Sequence, residues 1–347
     1  MNEIKGIVYG LGQMGRILTR LIVEKGVIPV GAIDADPASV GKDLGELVGL
    51  GYPLNVRVSD DADEILSKNE ADIALIAVYA EMDRSFPLFA RCIENGVNVI
   101  TTCDESLFPW TTSPEITARL DKLARKHGVT IVGAGFQDTF LANEVILLSG
   151  ASHTIESISG YQSYNIDDYG PVVAEWHNLG ETLDEFSKRE EEEGTDLSYF
   201  IMSLETIAAG LDLTIKSIDQ RTEPLTGEKD VYCGCLDKTI PAGRTIGRTQ
   251  ITDIETWQGV KLHGEEVSKV YLEGEVDEVI WSIKGEPDTH VRNDRVATRF
   301  QTCTQMVNRI PDVINSEPGY VTVNELPMLR YRAYPLHFYV NERRRSS

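Results

Sequence analysis

The stretch Ile4-Lys5-Gly6-Ile7-Val8-Tyr9-Gly10-Leu11-Gly12-Gln13-Met14-Gly15-Arg16-Ile17-Leu18-Thr19-Arg20-Leu21-Ile22 decides the fold. The run from Ile4 to Tyr9 has strand character, and the apolar residues at 14, 17, 18, 21 and 22 then recur at the spacing of one helix face. Gly26 stops that helix, and Val27 to Ile33 reads as a second strand ending on Asp34. Between the first strand and the helix, Gly10-Leu11-Gly12-Gln13-Met14-Gly15 fits the pattern G-x-G-x-x-G. The first glycine permits a tight turn, the second lets backbone approach a pyrophosphate, and the third allows close packing of helix on strand. The free N–H groups and positive dipole end of the helix then face the phosphates. Asp34, about 20 residues further on, is placed to accept hydrogen bonds from a ribose. That favours NAD, because a 2′-phosphate would be repelled. Lys42 and Arg57 downstream keep NADP possible.

Outward from this stretch the alternation continues. Ile73 to Val78 is a strand, 84–95 a helix, Val97 to Ile100 a strand, 113–127 a helix, and Val129 to Val132 a strand. Short strands that are apolar throughout, separated by amphipathic helices, predict a parallel sheet covered on both faces. The expected fold class is α/β: an N-terminal, doubly wound Rossmann domain over residues 1–135. Ligands of such sheets bind beyond the carboxyl ends of the strands. Ala77, Val78 and Tyr79 should therefore flank the cofactor. Thr101, Thr102 and Cys103, followed by Asp104-Glu105, should reach its reactive end.

The second half reads differently. Strands are expected at Ile155–Tyr164, Val231–Leu236, Arg248–Trp257, Lys269–Leu272 and Glu278–Lys284, with helices at Ser198–Gly210 and Leu183–Thr195. Glu190 to Glu193 looks like a solvated helix end. Together these predict an α+β substrate and dimerisation domain over 136–297. A segment from 298 to 340, opening with the amphipathic helix Thr298–Val313, should return to the Rossmann domain. The tail Arg343-Arg344-Arg345-Ser346-Ser347 reads as disordered.

A formal net charge of −22 leaves too few cations for a basic face, which excludes nucleic acid and disfavours an anionic membrane surface. No apolar run approaches the ~20 residues of a membrane span, and Met1-Asn2-Glu3 leads straight into a strand instead of a targeting segment. Five scattered cysteines suit a reducing compartment, hence the cytoplasm. Cys233-Gly-Cys235 is the one close pair. No second pair stands at zinc-site spacing, so it reads as part of a strand, and no metal is expected.

With both halves laid out, the chain resembles a known family. Gly10 to Arg16, with Gly41-Lys42-Asp43-Leu44-Gly45-Glu46 beyond Asp34, is similar to the N-terminal domain of dihydrodipicolinate reductases. Val99-Ile100-Thr101-Thr102-Cys103-Asp104-Glu105 with Pro109, Met306-Val307-Asn308-Arg309-Ile310-Pro311, and Pro318-Gly319-Tyr320-Val321-Thr322 resemble 2,4-diaminopentanoate dehydrogenases and the related amine dehydrogenases. The chain lacks the adjacent histidines that a dihydrodipicolinate reductase carries. It departs from the amine dehydrogenases at Gly135-Phe136-Gln137-Asp138-Thr139-Phe140, where something nearer Gly-x-Asn-Pro-Gly-Phe is the pattern.

The resemblance implies oxidative deamination of a small amine to a ketone with release of ammonia, reversible as reductive amination. Glu105 is the expected general base, by strand-end position and by resemblance. One alternative is that Glu105 caps the loop by binding backbone N–H groups; another is that its neighbour Asp104 does the job instead. For the substrate shell we nominate Phe140, Asn143, Tyr161, Tyr164, Asn165, Trp176 and His177: aromatics to shape an aliphatic pocket, amide and imidazole to orient a polar end. Half-exposed strands in the second domain suggest a homodimer. Two other readings stay open on this scaffold: a C=N or C=O reductase, and a non-catalytic NAD(H) sensor that would keep the glycines and Asp34 but need no carboxylate at 105.

Overall fold

The computed structural model describes residues 3–68, 70–193 and 198–341, and within them the chain divides into two compact units, 1–143 with 298–347, and 144–297. The basic tail from 343 and positions 194–195 lie outside the described residues.

The first unit begins β1 (Lys5–Tyr9), α1 (Gln13–Glu24), β2 (Ile28–Ile33), α2 (Leu44–Leu47), β3 (Val58–Ser59), α3 (Ala62–Leu66), β4 (Ile73–Ile76), α4 (Met82–Glu94), β5 (Asn98–Thr101), α5 (Pro114–His127) and β6 (Thr130–Gly133). After the second unit the chain returns with a long helix, Thr298–Asn315, and a short strand, Gly319–Tyr320. All neighbours in the seven-stranded sheet are parallel, in the order Gly319–Tyr320, β6, β5, β4, β1, β2, β3. Strand order reverses between β1 and β4, which opens a crevice at their carboxyl ends. β4 and β6 are buried at every position, as strands covered on both faces must be. One face packs on α3, α4 and α5 through Leu66, Phe89, Ile93, Leu120 and Ala124. Each of the larger of these, Leu66, Phe89, Ile93 and Leu120, contributes about 1.5–3 kcal/mol. Over the other, α1 packs against the returning helix, which also lies on β4, β5 and β6. Gly15, Leu18 and Ile22 form the buried stripe of α1, at the helical spacing seen in the sequence.

The second unit runs α6 (Glu144–Ser149), β7 (Thr154–Asn165), α7 (Pro171–Trp176), α8 (Leu183–Glu193), α9 (Phe200–Gly210), β8 (Ile215–Thr226), β9 (Val231–Cys233), β10 (Lys238–Ile240), β11 (Thr245–Thr256), β12 (Lys261–Lys269), β13 (Glu278–Glu286) and β14 (Thr289–Asp294). Its six-stranded sheet has the order β14-β13-β7-β12-β11-β8 and is antiparallel except for the parallel pair β7–β12. α9 covers one face. Phe200 stacks on the buried Trp281 with ring centroids 5.6 Å apart, and Trp281 in turn fills the space beside Gly160, where a Cβ would lie 2.3 Å from its ring.

The fold corrects several expectations. Lys269–Leu272 is not a strand. The strand is Lys261–Lys269, disguised in sequence by Gly264 and by Glu265-Glu266. Gly264 is small because Phe200 lies over it, 2.3 Å from where a Cβ would stand. The edge strands β8 and β14 escape the sequence pattern, since half-exposed charged positions blunt the apolar alternation. Cys235 leaves the strand and stands in the turn between β9 and β10. Glu190 is not solvated: Arg189 bonds it at 2.9 Å, and its side chain is only 14% exposed. No helix among the described residues is long and apolar enough to cross a membrane.

Candidate active site

The glycine loop occupies the crevice between β1 and β4. Gly10 has φ +91°, and a Cβ there would lie 2.4 Å from the Ala77 carbonyl oxygen. A Cβ on Gly15 would lie 1.8 Å from the Gly10 carbonyl oxygen, so α1 can start against the loop only with glycine at this position. Gly12, the N-cap of α1, has nothing within 4 Å of the equivalent point and carries no side-chain cap. The first N–H groups of any helix lack intrahelical acceptors, so backbone donors and open space coincide at Gly12. Asp34 fixes the loop from β2: one carboxylate oxygen accepts from the Leu11 N–H, the other from the Asp36 N–H at 2.8 Å. Each oxygen retains a lone pair that a ribose hydroxyl can use. The Leu11 side chain itself is buried, so that residue can offer a ligand only its backbone. Gln13 accepts from Arg299 at 2.7 Å, and Met14 is half-buried. The residues fit a dinucleotide.

Beyond β4, Ala77 donates its N–H to Tyr9, Val78 is 40% exposed, and the Arg84 guanidinium lies over the Tyr79 ring at 4.1 Å. Beyond β5, pleating sorts the expected residues. Thr101 and Cys103 point inward: Thr101 Oγ1 accepts from the Cys103 N–H at 3.0 Å, and the Cys103 thiol donates to Ala80 O at 3.0 Å. Burial pushes that thiol up to about 12, which leaves it inert. Of the three, only Thr102 has a side chain outside the interior.

Asp104–Leu107 then forms a 3-10 turn, held from below by the Tyr320 hydroxyl, which donates to Ser106 O at 2.6 Å. Glu105 in this turn is 9% exposed. Its Oε2 accepts from the Met82 N–H at 2.7 Å, and its Oε1 from the Ser113 hydroxyl at 2.5 Å. Met82 is the first residue of α4, so the carboxylate caps that helix. Asp104 is only half-buried and accepts from Gln137 Nε2 at 2.5 Å. Two carboxylates thus stand beyond β5: one buried and capping, one nearer the surface.

The departing segment 135–140 is explained by its partner. Asp138, fully buried, takes a bidentate bond from Arg309, with Nε to Oδ2 at 2.6 Å and Nη2 to Oδ1 at 2.9 Å. Arg309 also bonds the Pro327 and Val323 carbonyls and Asp312, which Arg332 holds from the other side at 2.7 Å. Burial pushes the Asp312 carboxyl up, against the opposing pull of Arg332 and Arg309. Asn143 takes part in this network: its amide donates to Asp138 at 2.8 Å and to Val323 O. Phe140 stacks on Phe136, centroids 4.7 Å apart.

The other expected substrate residues fall in the second unit and separate. Tyr161 and Tyr164 stand three apart on β7 and so point to opposite faces. Tyr161 sits in a cross-strand row with Glu265 and Ile280. Asn165 is spent locally, accepting from the Asp167 and Tyr271 N–H groups. Tyr164, Trp176 and His177 do come together. His177 Nδ1 lies 2.7 Å from Val173 O, and a carbonyl only accepts, so Nδ1 carries the proton. Nε2 faces the Tyr164 hydroxyl at 3.3 Å. Trp176 meets the His177 ring edge-on at 5.0 Å. Sequence reading missed two charged residues beside this cluster. Arg248, buried in β11, places its guanidinium 4.5 Å from the Trp176 ring centroid. Glu266 on β12 has a carboxyl that burial pushes up. A lone arginine inside Thr245-Ile246-Gly247-Arg248-Thr249-Gln250-Ile251 was the available signal.

Comparison with known proteins follows the same division. Residues 4–133 match the dihydrodipicolinate reductase N-terminal family, and residues 140–334 match the 2,4-diaminopentanoate dehydrogenase C-terminal domain. A 2,4-diaminopentanoate dehydrogenase of Acetoanaerobium sticklandii is 26% identical over 95% of each chain. An amine dehydrogenase of Streptomyces virginiae is 25% identical over 48% of this chain and 47% of that one. The solved amine dehydrogenase of Mycobacterium smegmatis is 42% identical, covers 96% of this chain and 98% of its own, and superposes with a TM-score of 0.89. The chain belongs to the 2,4-diaminopentanoate dehydrogenase family of amine dehydrogenases.

Proposed function

We propose that this protein is an NAD(P)-dependent amine dehydrogenase, oxidising 2,4-diaminopentanoate or a related small amine to a ketone and ammonia, with NAD the preferred cofactor. The observation that carries the reading is the carboxylate pair Asp104–Glu105 beyond β5, in a chain 42% identical to a solved amine dehydrogenase. Gly10, Gly12 and Gly15 with the start of α1 would hold the pyrophosphate, and Asp34 the ribose. The bound nicotinamide supplies the hydride acceptor. The protein's own work is proton transfer and charge stabilisation. A carboxylate beyond β5 takes a proton from the substrate ammonium and passes it to solvent; ionised again, it stabilises the iminium cation left after hydride loss and takes a proton from the attacking water. The resulting carbinolamine releases ammonia to give the ketone.

Glu105 is our first choice for that carboxylate. The capping bonds to Met82 and Ser113 specifically favour a second reading, in which Glu105 holds the turn and Asp104, fixed by Gln137, acts as base. Tyr164, Trp176 and His177 are proposed to recognise substrate. A half-exposed sheet face carrying Tyr161, Glu265 and Ile280 supports a homodimer, and five free cysteines support a cytoplasmic address.

The test follows nicotinamide absorbance: formation of the reduced cofactor with 2,4-diaminopentanoate, simple amines and alcohols, and its consumption with cyclic imines. Amine-dependent turnover is expected. Turnover only with alcohols or imines would shift the protein to the reductase class. NADH binding with no turnover at all would make it a sensor.

The loop gives a separate prediction. Gly12→Val places its Cβ where no protein atom lies within 4 Å, so its melting temperature should fall much less than that of Gly15→Ala while NADH affinity falls ~10-fold or more. Gly15→Ala drives a methyl into the Gly10 carbonyl and should lose both stability and binding. Thermal melts beside NADH fluorescence titrations check the pair, and unchanged NADH affinity in Gly12→Val would remove this loop from the cofactor site.

A further inference from the structure

We propose that Asp167, Cys233 and Cys235 form a binding site for a thiophilic divalent cation, Zn²⁺ in the first instance. Their ligand atoms lie within 4.8 Å of one another, and the site lies wholly within the second unit, apart from the residues given to catalysis. Two thiolates and a carboxylate are a ligand set that zinc takes.

The spacing fits. Tetrahedral zinc with Zn–S near 2.3 Å and Zn–O near 2.0 Å separates two sulfurs by about 3.8 Å, and sulfur from oxygen by about 3.5 Å. Here the Cys233 and Cys235 sulfurs are 3.6 Å apart, and the Cys233 sulfur is 3.3 Å from Asp167 Oδ1. The carboxylate is already oriented: Oδ2 accepts from the Gly234 N–H at 2.9 Å and Oδ1 from the Cys235 N–H at 2.8 Å. Ligand orientation by such bonds is what metal sites depend on. Two thiol protons pass to solvent as two sulfur–metal bonds form, and a water completes the four positions.

The location gives the site a purpose. Cys233 ends β9 and is buried among Ile166, Leu179, Val231, Ile240 and Val270, with Tyr164 packed against the same cluster. Asp167 sits in the 3-10 turn Ile166–Tyr169 that follows β7. The ion would clip the β9–β10 hairpin to the end of β7, the strand that presents Tyr164.

The reduced, full-length protein, stripped with EDTA, is titrated with Co²⁺ and then Zn²⁺. One equivalent of Co²⁺ should bind with an intense sulfur-to-cobalt charge-transfer band. Zn²⁺ should displace it and raise the melting temperature. Losing a group that merely supports a ligand costs ~10–100-fold in metal affinity, so Cys235→Ser, a conservative change at a half-exposed turn, should cost more than that and weaken the band. Asp167→Asn should lower affinity while keeping the band. Three results overturn the proposal: no Co²⁺ uptake by the unsubstituted chain, uptake unchanged in Cys235→Ser, or a chain that takes no metal but forms a Cys233–Cys235 disulfide on mild oxidation.

Discussion

Glu105→Gln is expected to lower kcat/KM for amine oxidation by about 10²–10⁴-fold, the range lost with a general base, while NADH binding stays intact. Glutamine matches glutamate in size, and its carbonyl can still accept from the Met82 N–H, so the cap on α4 should largely survive. What disappears is the negative charge and its ability to hold a proton from ammonium or water. Asp104→Asn is the necessary companion. If Glu105 is only a cap, Glu105→Ala will cost roughly 0.5–2 kcal/mol of stability, Glu105→Gln will leave turnover near the parent value, and Asp104→Asn will carry the rate loss. If both substitutions leave turnover untouched, the carboxylate pair has no part in the reaction. Steady-state rates beside thermal melts separate these outcomes, because one set of variants moves the rate and the other the melting temperature.

Arg309→Met should destabilise the fold more than any substitution at the glycine loop or the carboxylate pair. Asp138 and Arg309 are fully buried and paired through two bonds, and Arg309 also closes the 323–327 segment onto the returning helix. Removing Arg309 leaves the buried Asp138 carboxylate without its counter-charge, held only by the Asn143 amide among the described residues, which costs about 3–5 kcal/mol against a total of roughly 5–15 kcal/mol for a whole domain. A fall in melting temperature on the order of 10 °C follows for a unit of this size. Replacing both members, with Asp138→Leu added, should recover part of that loss, because no unpaired charge is then buried. Calorimetry of the two single variants and the double variant checks this. A single-variant loss under about 1 kcal/mol would mean that the pair behaves like a surface ion pair, contrary to its burial.

Glu105 and the Asp138–Arg309 pair differ in how far the sequence reveals them. Glu105 can be singled out from its place after an apolar strand and from the Thr-Thr-Cys-Asp-Glu resemblance. Its capping bonds to Met82 and Ser113 cannot, since they depend on how α4 and the start of α5 fold around the turn. The Asp138–Arg309 pair is hidden altogether. In sequence, Asp138 is an oddity in an otherwise familiar segment, and its partner lies far along the chain. The substrate shell shows the same limit. Tyr161 and Tyr164 look like neighbours, but the two-residue period of β7 sends them to opposite faces. Asn143 and Asn165 look like ligands for a polar substrate, and tertiary contacts use both to satisfy buried backbone and carboxylate groups. Arg248 looks like a surface charge within a strand, and only the packing of the sheet buries it against Trp176.

What the sequence determined by itself is the doubly wound sheet, the glycine loop in its crevice and the acid at Asp34. All of these follow from local periodicity and from glycines whose backbone conformation or lack of a Cβ no other residue reproduces. The tertiary structure alone decided which carboxylate caps and which faces outward, which aromatics share a face, and which charges are buried in pairs. Those outcomes rest on contacts between residues distant in the chain, and pattern along one strand or helix does not encode them.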